Sequence, residues 1–217
     1  MTAETKSPFI KNIHTLEQLR EWIPAPSDLV LNKVIPDIDD HVRAFIGFSP
    51  YVMISTADRN GNCDASPRGG EPGFVKVLDD HHLAWSESTG NRRADSLQNL
   101  LQNDSIGMLF LLPGYDEVLR INGTAVITTE SALLEQLAPR NQPPGVGVAV
   151  GVTVHECYIH CAKAALRSSL WNPLGWPDLS AMPSAAQILR DHTGAGEGDG
   201  SVEYMQRMLD ESYTKRL

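Results

Sequence analysis

Strand-like segments between residues 51 and 160 restrict the fold of this chain more than any other feature of its sequence. Short stretches rich in β-forming residues recur there, and turn signals such as Asn60-Gly61 and Pro113-Gly114 separate them. Asn-Gly is typical of tight hairpins, so the first two segments are predicted to pair antiparallel. About six strands with few helices between them predict a mainly β, α+β fold, an antiparallel barrel or sandwich with peripheral helices. The predicted strands are 51–57, 63–78 with an interruption at Pro67–Gly70, 82–86, 106–112, 117–128 and 145–160.

Helical patterns flank these strands. Residues 1–48 form a predicted helical extension, in which Thr15-Leu16-Glu17-Gln18 has the form of a capping box and Ile38, Val42 and Phe45 follow at helical spacing. Residues 49–171 are the predicted barrel, and 172–217 a helical tail that contains a glycine-rich joint at 194–200. Further helices are predicted at 92–102, 133–137, 161–171 and 185–190, with a last one after Ser201.

Charge and cysteine content exclude several classes of protein. The 217 residues carry a net charge of −9, whereas nucleic-acid binders are usually basic. No apolar run approaches the roughly 18 residues of a membrane span. Three cysteines, Cys63, Cys157 and Cys161, at irregular spacing do not resemble a secreted disulfide framework. We see no signal peptide and expect a cytoplasmic protein.

The segment Asn91-Arg92-Arg93 is the first candidate binding site. Asn91 is a favourable N-cap, which would place both arginines in the first turn of a helix. Two cations there oppose the helix dipole, and a bound anion would remove the conflict. The pattern favours a phosphate site, although both arginines could equally point into water.

Two further groups are candidates for binding the same kind of anion. Lys163, Arg167 and Trp171 have the spacing of one helical stripe, which could hold an anionic aromatic ligand or simply form a solvated basic face. Arg68 lies among glycines that allow a ligand to approach closely, or that form an ordinary edge-strand bulge.

Metal binding and direct side-chain catalysis receive little support. His155 and Cys157 should share one face of a strand and His160 the other, a spacing that does not match a closed zinc site with Cys161. No nucleophile–base constellation is evident, which favours a cofactor that carries its own chemistry. Asn122-Gly123 suggests a β-bulge.

Several segments, taken together and in order, resemble one family. They are Ser66–Gly69, Pro72–Val75, Leu78–Asp80, Gly90–Arg93, Asp95–Leu97, Leu109–Leu111, Pro113–Gly114, Leu119–Gly123, His160–Ala164, Arg167–Ser168 and Leu170–Trp171. The chain is similar, over about residues 30–175, to the pyridoxamine 5′-phosphate oxidase-like FMN-binding proteins, and more narrowly to their poorly characterised bacterial FMN-dependent branch.

This resemblance implies a six-stranded antiparallel split β-barrel and a homodimer with two FMN sites at its interface. It implies an FMN phosphate near Arg68 and the Asn91-Arg92-Arg93 segment, and a flavin ring beside Trp85 and Ser86. Lys163, Arg167 and Trp171 match the C-terminal motif that would complete the site.

The expected function is FMN-dependent oxidation or reduction of a small molecule. The alternatives are a flavin carrier or sensor without turnover, and a deazaflavin or haem binder on the same fold. The substrate-gripping FWQGG-type segment of true pyridoxamine phosphate oxidases is missing, which argues against vitamin B6 oxidation. Ser86-Glu87-Ser88-Thr89 also replaces a proline-containing stretch expected before Gly90.

Overall fold

The computed structural model describes residues 8–88, 90–138, 147–194 and 200–216, without the side chains of 215 and 216. The predicted strand residues 145 and 146 and the joint residues 195–199 lie outside these ranges. The chain divides after Val34 into two compact units.

The first unit contains α1 (Leu16–Arg20) and α2 (Asp28–Asn32). The Thr15 hydroxyl accepts from the Gln18 backbone N–H at 3.3 Å, which confirms half of the predicted capping box. The return bond differs, because the Gln18 side chain accepts from the backbone N–H of His14, one residue earlier than expected.

The second unit is a seven-stranded antiparallel sheet with peripheral helices, so the α+β antiparallel class is confirmed. Its strands follow the order β2-β1-β5-β6-β7-β4-β3. The elements are α3 (Asp40–Phe48), β1 (Tyr51–Ala57), β2 (Cys63–Gly69), β3 (Lys76–Val77), β4 (His82–Ser86), α4 (Asp95–Leu100), β5 (Ser105–Leu111), β6 (Val118–Thr128), α5 (Ser131–Leu137), β7 (Ala149–His160), α6 (Lys163–Ser168), a 3₁₀ turn (Pro173–Gly175), α7 (Ala185–Thr193) and α8 (Val202–Arg216). The interrupted segment 63–78 therefore becomes two strands, β2 and β3, at opposite edges of the sheet.

One face of the sheet and α3 enclose a single hydrophobic core. Alternation along β1 buries Val52 and Ile54, and the other central strands contribute their inward residues in the same way. α3 begins at the N-cap Asp39, whose carboxylate accepts from the Val42 N–H, and buries the predicted stripe of Val42 and Phe45. The N-terminal pattern at 38–46 thus forms part of the sheet's core.

β4 is buried on both faces. Leu83 and Trp85 point into the main core, whereas Ala84 packs with Ala149 and with Leu137 of α5 in a second cluster. This second layer explains why β4 lacks the alternating polarity of a half-exposed strand.

A β-bulge at Asn122/Gly123 confirms the sequence prediction. Asn122 pairs with Glu156 and Gly123 with Val154, so His155 is the extra residue on β7. The bulge reverses the alternation beyond it. His155 is exposed and Cys157 is buried, and the expectation that they share a face was wrong.

The two ends of the sheet approach each other through side chains. Arg68 on the edge strand β2 donates from Nε to Glu87 Oε1, directly after β4, at 2.8 Å. Since β4 lies next to the opposite edge, the sheet curls back on itself although the described strands β2 and β3 do not pair. This approach creates the opening in which the site lies.

The C-terminal region is helical as expected. Ser184 caps α7 by accepting from the Gln187 N–H, and Ser201 accepts from the Tyr204 N–H at the start of α8. Within the described ranges, none of the helices has the length and hydropathy needed to span a membrane.

Candidate functional site

A pocket of about 420 Å³ lies between strand β2 and the segment that leads from β4 into α4. This volume falls in the range of roughly 300–1,000 Å³ that is usual for small-molecule sites. Its lining consists of Asp64, Ser66, Pro67, Arg68, Glu87, Ser88, Gly90, Asn91, Arg92, Arg93, Ala94, Asp95, Ser96 and Leu97. The structure therefore brings together Arg68, Asn91, Arg92 and Arg93, four of the residues proposed from the sequence.

Arg68 is held firmly in the wall of this pocket. Its Nε donates to Glu87 Oε1 at 2.8 Å, and its Nη1 donates to the Ser66 hydroxyl at 2.7 Å and to the Pro67 carbonyl at 3.0 Å. The side chains of Arg68 and Glu87 are 16% and 7% exposed, respectively. A guanidinium fixed at this depth is far less mobile than a surface arginine.

Glu87 connects the pocket to the core. The same oxygen, Oε1, also accepts from Trp85 Nε1 at 2.9 Å. Trp85 is completely buried, so this bond satisfies the one polar atom of its indole. A buried carboxylate needs such donors, and here an indole and a guanidinium supply them.

The loop before α4 differs from the prediction. α4 begins at Asp95 with Ala94 as N-cap, so Asn91 does not cap it and Arg92 and Arg93 precede the helix. Asn91 instead closes a local turn by accepting from the Arg93 N–H at 2.9 Å. The dipole conflict inferred from the sequence is therefore absent at this helix, whose first turn carries an acidic residue.

The loop adopts left-handed backbone at alternate residues. Gly90, Arg92 and Ala94 have φ values of 45°, 65° and 55°. Left-handed conformations in residues other than glycine are uncommon and often occur in functional loops. This backbone places both arginines on the pocket.

The charges around the pocket are balanced. Asp64, Glu87 and Asp95 face Arg68, Arg92 and Arg93, which gives equal numbers of each sign. Arg93 donates to Asp95, which raises the pKa of the guanidinium.

The remaining two groups of this set differ in their contacts. Asp64 accepts a hydrogen bond from the Ser96 hydroxyl. Within the described part of the chain, Arg92 has no hydrogen bond or ion pair, so its charge faces solvent and pocket uncompensated.

The remaining site candidates lie outside this pocket. Trp85 fills the core, and Ser86 is half-buried at the end of β4, opposite Ala149. α6 ends at Ser168, and Ser169 adopts a left-handed φ of 51°, so Trp171 does not continue the predicted stripe with Lys163 and Arg167.

The C-terminal stripe is also oriented differently from the expectation. Trp171 Nε1 donates to the Tyr115 carbonyl at 2.9 Å, which anchors it to the loop between β5 and β6. Leu166 and Leu170 were expected to pack inward but are 61% and 41% exposed, and Ala165 is the buried residue of α6.

Sequence reasoning missed the acidic part of the site. Glu87 drew attention only as a departure from the family pattern, and Asp64 and Ser96 drew none. Their contacts join segments 19 and 32 residues apart, so no local pattern indicates them.

The histidine and cysteine cluster does not form a metal site in the described residues, where no group of three His, Cys, Asp or Glu side chains is placed to hold an ion. Cys157 lies in the core and donates to the Asp37 carbonyl. Burial, reinforced by nearby carboxylates, raises the pKa of its thiol to about 11.

Comparisons with known proteins bear on the fold and the family. Solved structures with similar chains include HupZ of Group A Streptococcus (21% identity, 57% of this chain and 99% of that chain, TM-score 0.47). Others are a protein related to general stress protein 26, of the pyridoxinephosphate oxidase family, from Clostridium acetobutylicum (19%, 55% and 85%, 0.42), and General Stress Protein 26 of Bacillus anthracis (15%, 55% and 93%, 0.41). No curated protein matches the chain.

The family model described as pyridoxamine 5′-phosphate oxidase matches residues 38–161, which is more than half of the chain. This match includes α3, the whole sheet and every residue that lines the pocket. The chain therefore belongs to the pyridoxamine 5′-phosphate oxidase family.

Proposed function

We propose that this protein binds FMN in the pocket between β2 and α4 and acts as an FMN-dependent oxidoreductase on a small molecule. The observation that carries the proposal is the convergence of Arg68, Arg92 and Arg93 on one pocket of about 420 Å³ in an acidic protein. Guanidinium groups are well suited to phosphate because their planar N–H donors match its oxygens.

The mixed charges of the pocket fit a polyol phosphate better than a simple anion. Arg92 and Arg93 offer cations to a phosphate, while Asp64 and Glu87 offer acceptors to hydroxyl groups. The ribityl phosphate of FMN carries both an anionic end and several hydroxyl donors. The residues present therefore fit this cofactor.

In this proposal the protein contributes binding and orientation. FMN, when bound, supplies the hydride or electron transfer chemistry. Arg68, Arg92 and Arg93 hold the phosphate, and the end of β4 at Trp85 and Ser86 determines where the ring lies.

We also propose that the working form is a cytoplasmic homodimer, in which the curled sheet is the six-stranded split barrel of the family and the two-residue β3 is an added edge pairing. Lys163, Arg167 and Trp171 do not line the pocket of their own chain. A partner subunit would bring them to it.

Replacing Arg92 and Arg93 together by alanine should abolish FMN retention. Each lost charge-assisted contact is worth about 1.5–3 kcal/mol, so the dissociation constant should rise roughly a hundredfold or more. The measurement is the visible spectrum of the purified variant, followed by titration of stripped protein with FMN.

A matched control removes two arginines elsewhere, Arg59 and Arg207, which leave the pocket intact but change the net charge equally. If the control loses FMN as strongly as the site variant, or if the site variant purifies yellow, the phosphate assignment is wrong. A colourless wild-type protein that ignores added FMN would contradict the proposed function itself.

Turnover distinguishes the enzyme from a flavin carrier or sensor. The flavin-loaded protein should be reduced by NADH or NADPH and reoxidised by a small acceptor over many cycles. Stable binding without repeated cycles would favour the carrier, and the absorption spectrum separates flavin from deazaflavin and haem.

A further inference from the structure

The carboxylate of Glu87 occupies an unusual place for a group beside an anion site. It lies at the junction of the core and the pocket, where Trp85 Nε1 and Arg68 Nε donate to the same oxygen at 2.9 and 2.8 Å. Glu87 is 6% exposed. A buried negative charge in the wall of a phosphate site opposes the ligand, so the arrangement needs another explanation.

We propose that Glu87 is a positioning residue, which fixes Arg68 so that one guanidinium nitrogen faces an anionic ligand. The inference rests on the proposed function in that the phosphate of FMN is the anion it serves. Glu87 acts through Arg68 and need not touch the ligand.

The hydrogen bonds of Arg68 define which nitrogen remains. Nε is held by Glu87, and Nη1 by the Ser66 hydroxyl and the Pro67 carbonyl, so three of the five N–H donors are engaged. In the described structure Nη2 keeps its two donors without such a bond, and Arg68 lines the pocket.

Immobilisation before binding improves affinity because less rotamer freedom is lost when the ligand arrives. The side chain of Arg68 is 16% exposed, whereas that of Arg93 is 76% exposed. Arg68 is therefore the preorganised cation of the site, and Glu87 supplies the contact to Nε that locks it.

Charge and position make opposite predictions for substitutions of Glu87, which allows a clean test. Glu87→Gln removes the negative charge but keeps an acceptor for Arg68 and Trp85. Glu87→Met has a similar shape, removes the same charge and offers no comparable acceptor. The two variants thus differ in whether Arg68 is held.

The experiment measures dissociation constants of stripped wild type and both variants for FMN, riboflavin and inorganic phosphate, by flavin fluorescence and calorimetry. We expect the Met variant to bind FMN and inorganic phosphate about threefold to tenfold more weakly than the Gln variant. Riboflavin, which lacks the phosphate, should show no such difference. Thermal unfolding of each variant separates a loss of stability from a loss of affinity.

Equal phosphate affinities of the Gln and Met variants would overturn the proposal, because Glu87 would then act through its charge or the fold alone. If wild type ignores FMN but binds inorganic phosphate with the expected difference between variants, the proposed function fails and the role of Glu87 stands. Binding of neither probe by wild type overturns both.

Arg68→Lys provides a second test should the Met variant fail to fold. Lysine keeps the charge but lacks the fork that Glu87 and Ser66 hold together. We expect about threefold to tenfold weaker binding of FMN and phosphate than in wild type. Unchanged affinity would show that charge alone suffices and would contradict the proposal.

Discussion

At the scale of single residues, Cys157 illustrates how burial controls reactivity. The thiol lies in the core, and its Sγ donates to the Asp37 carbonyl at 3.1 Å. Desolvation is the largest cause that raises its pKa to about 11, followed by the charges of Asp39, Asp37 and Glu156. Because the thiolate is the nucleophile, this thiol is inert at neutral pH.

Thiol counting should separate the three cysteines. In native protein at pH 8, an alkylating or disulfide reagent should modify Cys63 and Cys161, which are exposed, and should reach Cys157 only after unfolding. Rapid modification of all three in the native state, with no change in circular dichroism, would contradict the burial of Cys157.

The same shift gives a pH dependence of stability. Below about pH 9 the Cys157 thiol is protonated in both the folded and the unfolded chain. Between pH 9 and about 11 only the unfolded thiol ionises, so its contribution to stability is lost as the pH rises through that window. A Cys157→Ser variant should unfold with a weaker pH dependence in this range.

At the scale of elements, the bulge between β6 and β7 determines which side chains reach the core. Gly123 is needed there, since a Cβ at this position would lie 2.0 Å from the Thr153 carbonyl oxygen. The extra residue His155 reverses the alternation and turns Cys157 inward. Asn-Gly in the sequence indicated the bulge but not its effect on the partner strand.

Gly123→Ala should therefore destabilise the protein by about 3 kcal/mol or more, because backbone must move to relieve the clash. Gly151→Ala is the matched control on β7, where a Cβ would meet only the Val126 methyl at 3.6 Å. Denaturant unfolding measures both changes. Similar stability of the two variants would show that the bulge tolerates a side chain.

The scale of elements also shows where local pattern fails. Asn91 has the chemistry of an N-cap, yet α4 starts four residues later, at Asp95. The start is fixed by tertiary bonds, since Ser96 donates to Asp64 on β2 and Asn99 donates to Thr56 on β1.

At the scale of the whole molecule, the two groups of basic residues proposed from the sequence separate. Arg92 and Arg93 line the pocket, while Lys163 and Arg167 lie exposed on α6 and outside its lining. The homodimer proposal reunites them by letting each subunit complete the site of the other.

Co-expression of two defective variants tests this arrangement. The Arg92/Arg93 and Lys163/Arg167 double alanine variants should each lose FMN when expressed alone. In mixed dimers one of the two sites regains all four side chains, so about a quarter of all sites in a statistical mixture should bind FMN. No recovery despite proven mixed dimers would mean that subunits do not share the site.

Much of the fold follows from the sequence alone. Strand and helix periods indicated an α+β antiparallel protein, and the stripe of Ile38, Val42 and Phe45 predicted α3. The strand positions were indicated by local signals, because β-forming residues and turn residues act within a few positions. The arginines of the site were recognised by residue type.

What the sequence determined, then, is the set of elements and the cations available to an anion. Only the tertiary structure decided how they meet: it placed β2 and β4 at opposite ends of the sheet and curled them together until Arg68 reached Glu87. Periodicity reports which face of an element is apolar, whereas contacts between distant segments depend on how the whole sheet bends around its core.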